Sequence, residues 1–551
     1  MKCDKQKPTL AIYGIKDIKN SGYPVFVHDH NMSFFNKGRL ERHIQLERIT
    51  RKKYDNSIDS HIYELLKTEK LIDVDFDIVF TDNVIGRAFI STNGEIHFEG
   101  PLNSDLSLGL EKGKCWWFGK EKEAYVLNHE LAHIYSCLPF FGNFKENSLL
   151  VHFDGGASLS NFSVWTYKNN VLEKVEYHWD LKTVSSFFNA NALAFAIIGA
   201  KEYDQHSVPG KLMGFASFGK YSVELENWLI ENDYFQNIWN KKSVFFDKAK
   251  KDLNIEIKSF DQHNPFLQNI AATFQYIFQR DLVKKLKELQ VKTSTDYLYL
   301  TGGSALNILA NTEVINKNIF KDVFIPPCTN DSGLSIGAGA FMEQLKHGNI
   351  EIHDPYLNNW QLKDYKASYT DEDISEVAKY LSEGKVIGIC NGNGESGPRA
   401  LGNRSILALA NSKKIAKQVS EEHKKREWYR PVAPVMLEKN AKHFTGLSEI
   451  HHLSKFMLLD FKINESKTGE IEGVVHVDGT SRIQTIFNRE ENPYIFDLLT
   501  ELDEKYKIKA LINTSFNIKG EPIVHNDEDA VRSAKNMRLD GVVVNGYLQM
   551  F

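Results

Sequence analysis

DYLYLTGGSALNILAN (296–311) reads as an apolar strand, a paired-glycine turn and a helix. Paired glycines let the backbone approach a nucleotide closely, and the N-terminus of the following helix favours phosphate. A lone glycine pair says little, but this one has company. SLLVHFDGG (148–156) is a strand running into an aspartate and glycines, DVFIPPCTNDSGLSIGAGAF (322–341) is strand, loop and small-residue helix, and GKLMGFASFG (210–219) is glycine-punctuated. Toward the N-terminus, TLAIYGI (9–15) and FDIVFTD (76–82) read as strands. PVFVHDHNMSFFNKGRL (24–40) reads as a hairpin turning near Asn36, Lys37 and Gly38. The spacing predicts helices over YVLNHELAHIYSCL (125–138) and over VSSFFNANALAFAIIG (184–199), the latter buried and closed by glycine. Strands alternate with helices, so the class is α/β. The repeated strand–loop–glycine units suit a two-lobed nucleotide fold of internally related halves.

A chain of 551 residues is too long for one core, since single domains rarely pass ~250–300 residues. HDPYLNNWQLKDYKASYT (353–370) is polar and weakly periodic and reads as a linker, and DEDISEVAKYLSEGKVIGIC (371–390) starts a helix–strand unit afresh. The expected division is a domain over 1–355, a linker over 356–370 and a domain over 371–551. Lys and Arg number 67 against 72 Asp and Glu, a net charge of −5. That excludes a generally basic nucleic-acid coat while leaving room for a local anion site. No run approaches the ~20 apolar residues of a membrane span, and the opening MKCDKQKPTL shows neither a signal core nor twin arginines. Cys3, Cys115, Cys137, Cys328 and Cys390 form no CxxC pair, so neither a disulfide framework nor a thiolate zinc site is expected. A reduced, cytoplasmic protein is expected, with no nucleic-acid or membrane partner.

His129 and His133 stand four apart on a predicted helix, which puts both imidazoles on one face, able to hold adjacent positions around a divalent ion. Glu130 between them completes HExxH, the zinc-metalloprotease pattern. The metzincin extension is missing, and a third ligand has to come from elsewhere. Asp154 in VHFDGG sits at the end of a strand and Asp331 in CTNDSGLSIGAG between a strand and a helix. Either alone suits a turn or cap; with the histidine pair they make a His2Asp2 set, which fits Fe2+, Zn2+ or Mn2+ better than a structural zinc. Farther on, GESGPRALGNRSIL (394–407), KKREWYRPVAP (424–434), HVDGTSRIQT (476–485) and NTSFNIKGEPIV (513–524) set Arg399, Arg404, Lys424, Arg426, Arg430 and Arg482 in glycine- and proline-rich loops. Surface charge is the default reading of any one of them. Together they suit a phosphate-bearing ligand, which guanidinium grips in a bidentate way.

The order HDHNMSFFNKGRL, LERITRKKYDN, NHELAH, DGG, GKLMG, GGSALN, NDSGLSIGA, GPRALGNRSIL, REWYRP, HVDGTSR, NTSFNIKGEP resembles the O-carbamoyltransferases of the NodU/CmcH type over nearly the whole chain. The resemblance implies an actin-like ATPase-fold (ASKHA-type) N-terminal domain and a YrdC-like, α+β C-terminal domain. It implies that carbamoyl phosphate and ATP give carbamoyl-adenylate and pyrophosphate, and that the carbamoyl group then passes to a hydroxyl of a small-molecule acceptor with release of AMP. In that reading Arg399, Arg404, Lys424, Arg430, Arg482, Ser515 and Asn517 hold carbamoyl phosphate and ATP with its Mg2+. Gly302, Gly303 and Asn307 form the nucleotide loop of the N-terminal domain. His129, His133, Asp154 and Asp331 hold one divalent metal, Fe2+ foremost, with Zn2+ or Mn2+ as alternatives. His28 is the candidate general base, with Asp29 to orient it. A homodimer is compatible with the resemblance. Two other classes compete with it, a HExxH zinc metalloprotease and a threonylcarbamoyl-type tRNA-modification protein. The chain departs from the family pattern at Glu130, where a second histidine is usual, and at Gly155–Ser158, where a carboxylate often follows.

Overall fold

The computed structural model describes residues 4–14, 28–81, 88–90, 95–100, 105–179, 198–199, 206–234, 244–257, 260–362 and 367–551. The helix expected over 184–199 lies outside them except for its last two residues. Strands β1 (Thr9–Tyr13), β2 (Asn31–Asn36), β3 (Arg39–Gln45), β4 (Asp77–Thr81), β5 (Ala88–Ile90), β6 (Ile96–Glu99), β7 (Glu111–Trp117) and β8 (Lys120–Val126) form the first sheet, in the order β3-β2-β1-β4-β8-β7-β6-β5. Strands β9 (Ser148–Phe153), β10 (Phe162–Lys168), β11 (Val171–His178), β12 (Tyr297–Thr301) and β13 (Asp322–Phe324) form the second, in the order β11-β10-β9-β12-β13. The two share one plan. In each, three strands form an antiparallel meander, and two more add in parallel beside its first strand. In the first sheet β5–β7 extend the edge before β8 closes the pattern. Two such sheets side by side are the architecture of the two-lobed actin-like ATPase fold, in agreement with the internally related halves expected from the glycine turns.

The β2–β3 hairpin turns on Lys37 and Gly38, whose φ values of 52° and 79° are those that a two-residue hairpin turn requires. The strand before the turn begins at Asn31, later than the sequence pattern suggests. Asp29, at φ 58°, breaks the extended run and leaves His28 and Asp29 in a loop at the strand end. Between the sheets lies one apolar cluster that includes Phe35, Leu131, Leu150, Trp165 and Phe341; burying each such side chain is worth about 1.5–3 kcal/mol. The helices His129–Tyr135 and Leu334–His347 cross inside it. Gly337 permits the crossing, because a Cβ there would fall 1.7 Å from the Ala132 carbonyl oxygen. The small residues of GLSIGAGAF thus bring His129 and His133 against the loop that bears Asp331. At the far end of the second helix, Lys346 Nζ contacts Asp77 and Thr9 Oγ1 at 2.8 Å each, and Glu343 accepts the Gly38 N–H at 2.7 Å. These buried charges are fully partnered, so they hold the helix to the hairpin without an unpaired-charge penalty.

The third sheet comprises β14 (Ile387–Cys390), β15 (Arg404–Leu409), β16 (Ala433–Leu437), β19 (Gln484–Ile486), β20 (Leu511–Ser515), β21 (Gly541–Val544) and β22 (Tyr547–Met550), with a separate small pair, β17 (Phe461–Lys462) and β18 (Thr480–Ser481). Its order is β19-β16-β20-β15-β14-β21-β22, with parallel and antiparallel pairs mixed. The described part of the expected linker is packed. Trp360 is fully buried and donates to the Leu65 carbonyl at 2.9 Å. Asn358 exchanges backbone hydrogen bonds with Gly394 and bonds Gln45 through its side chain.

His43 and His525 flank this strap. His525 Nε2 lies 2.8 Å from the Trp360 carbonyl oxygen, and the His43 N–H donates to Asn359. Burial, with the charge of Arg48, pushes His43 down to about 3; burial, with Arg404, Arg48 and Arg51, does the same to His525. The unfolded chain protonates both near pH 6.5 while the folded chain does not, so the unfolded state binds more protons and stability falls as pH drops below that point. The expected loss at pH 5 is on the order of 2 kcal/mol per histidine. Denaturant midpoints at pH 7.5 and pH 5 check it, and His525→Asn should reduce the difference.

Candidate functional site

A cavity of about 950 Å3 is lined from both sides: His28, Asp29, Asp154 and Asp331 from the two-lobed part, and Arg399, Arg426, Arg430, Arg482, Ser515 and Asn517 from the third-sheet part. At its acidic end, His133 Nε2 lies 3.0 Å from His129 Nε2, 3.4 Å from an Asp331 oxygen and 3.6 Å from an Asp154 oxygen. Asp331 is also 3.6 Å from His129, and its other oxygen accepts from the Tyr13 hydroxyl at 2.7 Å. Bonds of about 2.0–2.2 Å around one ion place neighbouring ligand atoms roughly 3–3.6 Å apart. His133, Asp154 and Asp331 therefore fit a divalent ion in both chemistry and spacing, and His129 stands beside His133 and Asp331 at the same spacing. Burial alone would raise the Asp331 pKa, but His129 and His28 hold the carboxyl well below the usual range.

The asparagine cap of the His129–Tyr135 helix, Asn128, accepts the Leu131 N–H and fixes the first turn. Glu130 faces away from the cluster: one carboxylate oxygen accepts from the Leu159 N–H, the Ser160 N–H and the Ser160 hydroxyl at 2.7, 3.0 and 3.2 Å. The HExxH reading loses its general base, because this glutamate anchors the loop before β10.

His28 stands at the cavity wall with Nδ1 3.0 Å from Asp29 and Nε2 3.9 Å from Asp331. Burial would depress its pKa; Asp331 and Asp29 outweigh that and push it up to about 9. Its ring packs on His206 at a centroid distance of 4.0 Å, and His206 on Tyr54 at 4.9 Å. Tyr54 belongs to LERITRKKYDN (46–56), while His206 lies in no motif, and proximity in the fold alone reveals it.

In the glycine turn, Gly302 has φ 93° and a Cβ there would meet the Phe153 carbonyl oxygen at 2.1 Å. Gly302 shapes the turn, and Gly303 is the glycine that reaches the cavity, its N–H donating to Asp154. Asn307 also borders the cavity, but its amide caps the Ile308–Asn316 helix and pairs with Gln275.

At the basic end the side chains of Arg399, Arg426, Arg430 and Arg482 gather. Burial, reinforced by Arg430, pushes Arg399 down to about 10; burial, reinforced by Arg430 again, pushes Arg426 down to about 9. Arg482 is driven well down by burial and by Arg399, Arg426 and Arg430. Cations that depress one another in this way are built to receive anions. Nε of Arg399 and of Arg482 is buried without a protein partner, and an unmet buried donor costs about 1–3 kcal/mol or more when charged. Arg426 donates to Ser515 Oγ at 3.2 Å and belongs to the wall, although the family pattern did not single it out. Lys424 Nζ borders the cavity but is already held by Ser515 and by both oxygens of Asn517. Arg404 is a correction: fully buried and absent from the cavity wall, it donates to the backbone carbonyls of Asn391, Gly392, Asn403 and His525. It organises the loops and has no N–H left for phosphate.

Residues 110–340 match the family model described as carbamoyltransferase N-terminus, and residues 378–550 the one described as carbamoyltransferase C-terminus. The nodulation protein NolNO of Sinorhizobium fredii is 28% identical, over 95% of this chain and 79% of that protein. An uncharacterized protein of Methanocaldococcus jannaschii is 30% identical, over 78% of this chain and 83% of its own length. Among solved structures, full-length HypF in a phosphate- and nucleotide-bound form aligns with a TM-score of 0.34 and 12% identity, covering 62% of this chain and 56% of that one, too loosely to add to the topology described above. The two matched regions together span well over half of the chain, and the chain belongs to the carbamoyltransferase family.

Proposed function

We propose that the protein is an ATP-dependent O-carbamoyltransferase whose two half-reactions share the cavity. Residues 371–551 would form the YrdC-like adenylating domain and residues 1–355 the transfer domain. At the basic end carbamoyl phosphate gives up its phosphate to water. The carbamate oxygen attacks the α-phosphorus of ATP, and pyrophosphate leaves. At the acidic end the acceptor hydroxyl oxygen attacks the carbamoyl carbon, AMP leaves with the bonding electrons, and the hydroxyl proton passes to Nε2 of the neutral form of His28, whose share grows as pH rises toward about 9 and which Asp29 orients through Nδ1. Arg399, Arg426, Arg430 and Arg482 offset the repulsion between two polyanions, which is the main obstacle to adenylation. His129, His133, Asp154 and Asp331 would hold a divalent ion that supplies Lewis acidity toward the carbamoyl carbonyl. The acceptor is a small-molecule alcohol, received beside His28, His206 and Tyr54.

The observation that carries this reading is the shared cavity, in which Arg399 and Arg482, each with an unmet buried Nε, share walls with Asp154 and Asp331 of the His/Asp cluster. The test is pyrophosphate release by the full chain with ATP and Mg2+, with and without carbamoyl phosphate, in the absence and presence of candidate alcohols. Release that requires carbamoyl phosphate is expected. Its absence in folded protein under every acceptor tried would overturn the donor chemistry.

A further inference from the structure

His152 lies on β9, two residues before Asp154, fully buried, and neither of its ring nitrogens has a partner. Buried polar groups in native proteins are nearly always satisfied, so a doubly orphaned imidazole calls for an explanation. Its surroundings supply one. The ring stacks on His133 with centroids 5.1 Å apart and planes at 27°, and meets His129 edge-on at 6.1 Å. A ligand nitrogen of His152 lies within 4.8 Å of one on each of His129 and His133. The proposed function leaves this group unused.

We propose that His152 is a further ligand of the metal centre, a third imidazole beside His129 and His133. The inference rests on the reading of that cluster as a metal site. A nitrogen-rich set selects the ions that imidazole suits, namely Fe2+, Co2+, Ni2+ and Zn2+, over Mg2+ and Mn2+. The position is specific: His152 is the penultimate residue of β9 and Asp154 follows its last residue, so both stand at the strand end that meets His133. His133 then joins two triads, one with His129 and His152 and the other with Asp154 and Asp331.

The experiment measures Co2+ and Zn2+ binding to full-length wild type and to His152→Phe and His152→Asn, by calorimetry and by the visible ligand-field bands of bound Co2+, with the melting temperature of each protein with and without metal. Phenylalanine preserves the stack on His133 and removes both orphaned nitrogens. If His152 ligates, His152→Phe should melt no lower than wild type without metal, bind Co2+ at least about 10-fold more weakly and show altered Co2+ bands, and His152→Asn should share the weakened binding. Should His152→Phe misfold, His152→Asn supplies the same two readouts. Unchanged affinity and unchanged bands in folded variants would overturn the inference and leave the metal site standing. No Co2+ or Zn2+ binding by wild type itself would overturn both.

Discussion

Arg482→Ala is expected to cut carbamoyl-phosphate-dependent pyrophosphate release by at least about 10^2-fold, the scale found when one preorganised donor to developing negative charge is removed. Arg482 is buried with three other arginines nearby, and its Nε meets no protein partner. Removing it therefore relieves repulsion in the free protein while withdrawing a charge from the bound anions. Two signatures separate this from structural damage. The melting temperature without ligand should hold or rise, and the KM values for carbamoyl phosphate and ATP should rise or the rate at saturation should fall. Arg404→Ala is the contrast: it leaves several carbonyls without a donor, so it should lose several kcal/mol of stability and lose activity only as folded protein is lost. If Arg482→Ala instead unfolds the chain and keeps full activity in the surviving fraction, the anion-binding assignment fails.

The two arginines also show where sequence reading stops. Arg399 and Arg404 stand five apart in one glycine-punctuated loop, and composition treats them alike. Only the strand register separates them, since β15 starts at Arg404 and turns its guanidinium into the loops beneath. The doubled lobe plan was legible because a strand, a glycine turn and a helix are local events, each with its own residue signals. The position of His28 was legible only as a motif neighbour: the left-handed Asp29 that shortens the strand has no unambiguous local signal. The linker reading missed the burial of Trp360, because polar, aromatic sequence has the same look on a surface and inside a seam between two sheets. His206 and His152 were illegible for a common reason. Their meaning comes from what they face across the fold, and a single chain lacks that information until its two halves are brought together.

Asp331 is where those halves of the chemistry divide. It accepts from Tyr13, meets both helix histidines and lies 3.9 Å from His28. Asp331→Asn keeps the shape and an acceptor for Tyr13 but removes the negative charge. Metal affinity should then drop beyond the 10–100-fold typical of outer-shell partners. Carbamoyl transfer to an alcohol, read as carbamoylated product or AMP release per pyrophosphate formed, should fall by roughly 10^3-fold, since Lewis-acid stabilisation supplies several kcal/mol and each 1.36 kcal/mol is a factor of ten. Pyrophosphate release should stay within a few fold, because the arginines that support it lie at the other end of the cavity. Uncoupling of that kind, adenylation without transfer, is the opposite of the Arg482→Ala result, in which both products vanish together. If Asp331→Asn abolished pyrophosphate release as well, the acidic end would be needed for donor activation, and the division of labour along the cavity would have to be redrawn around a single composite site.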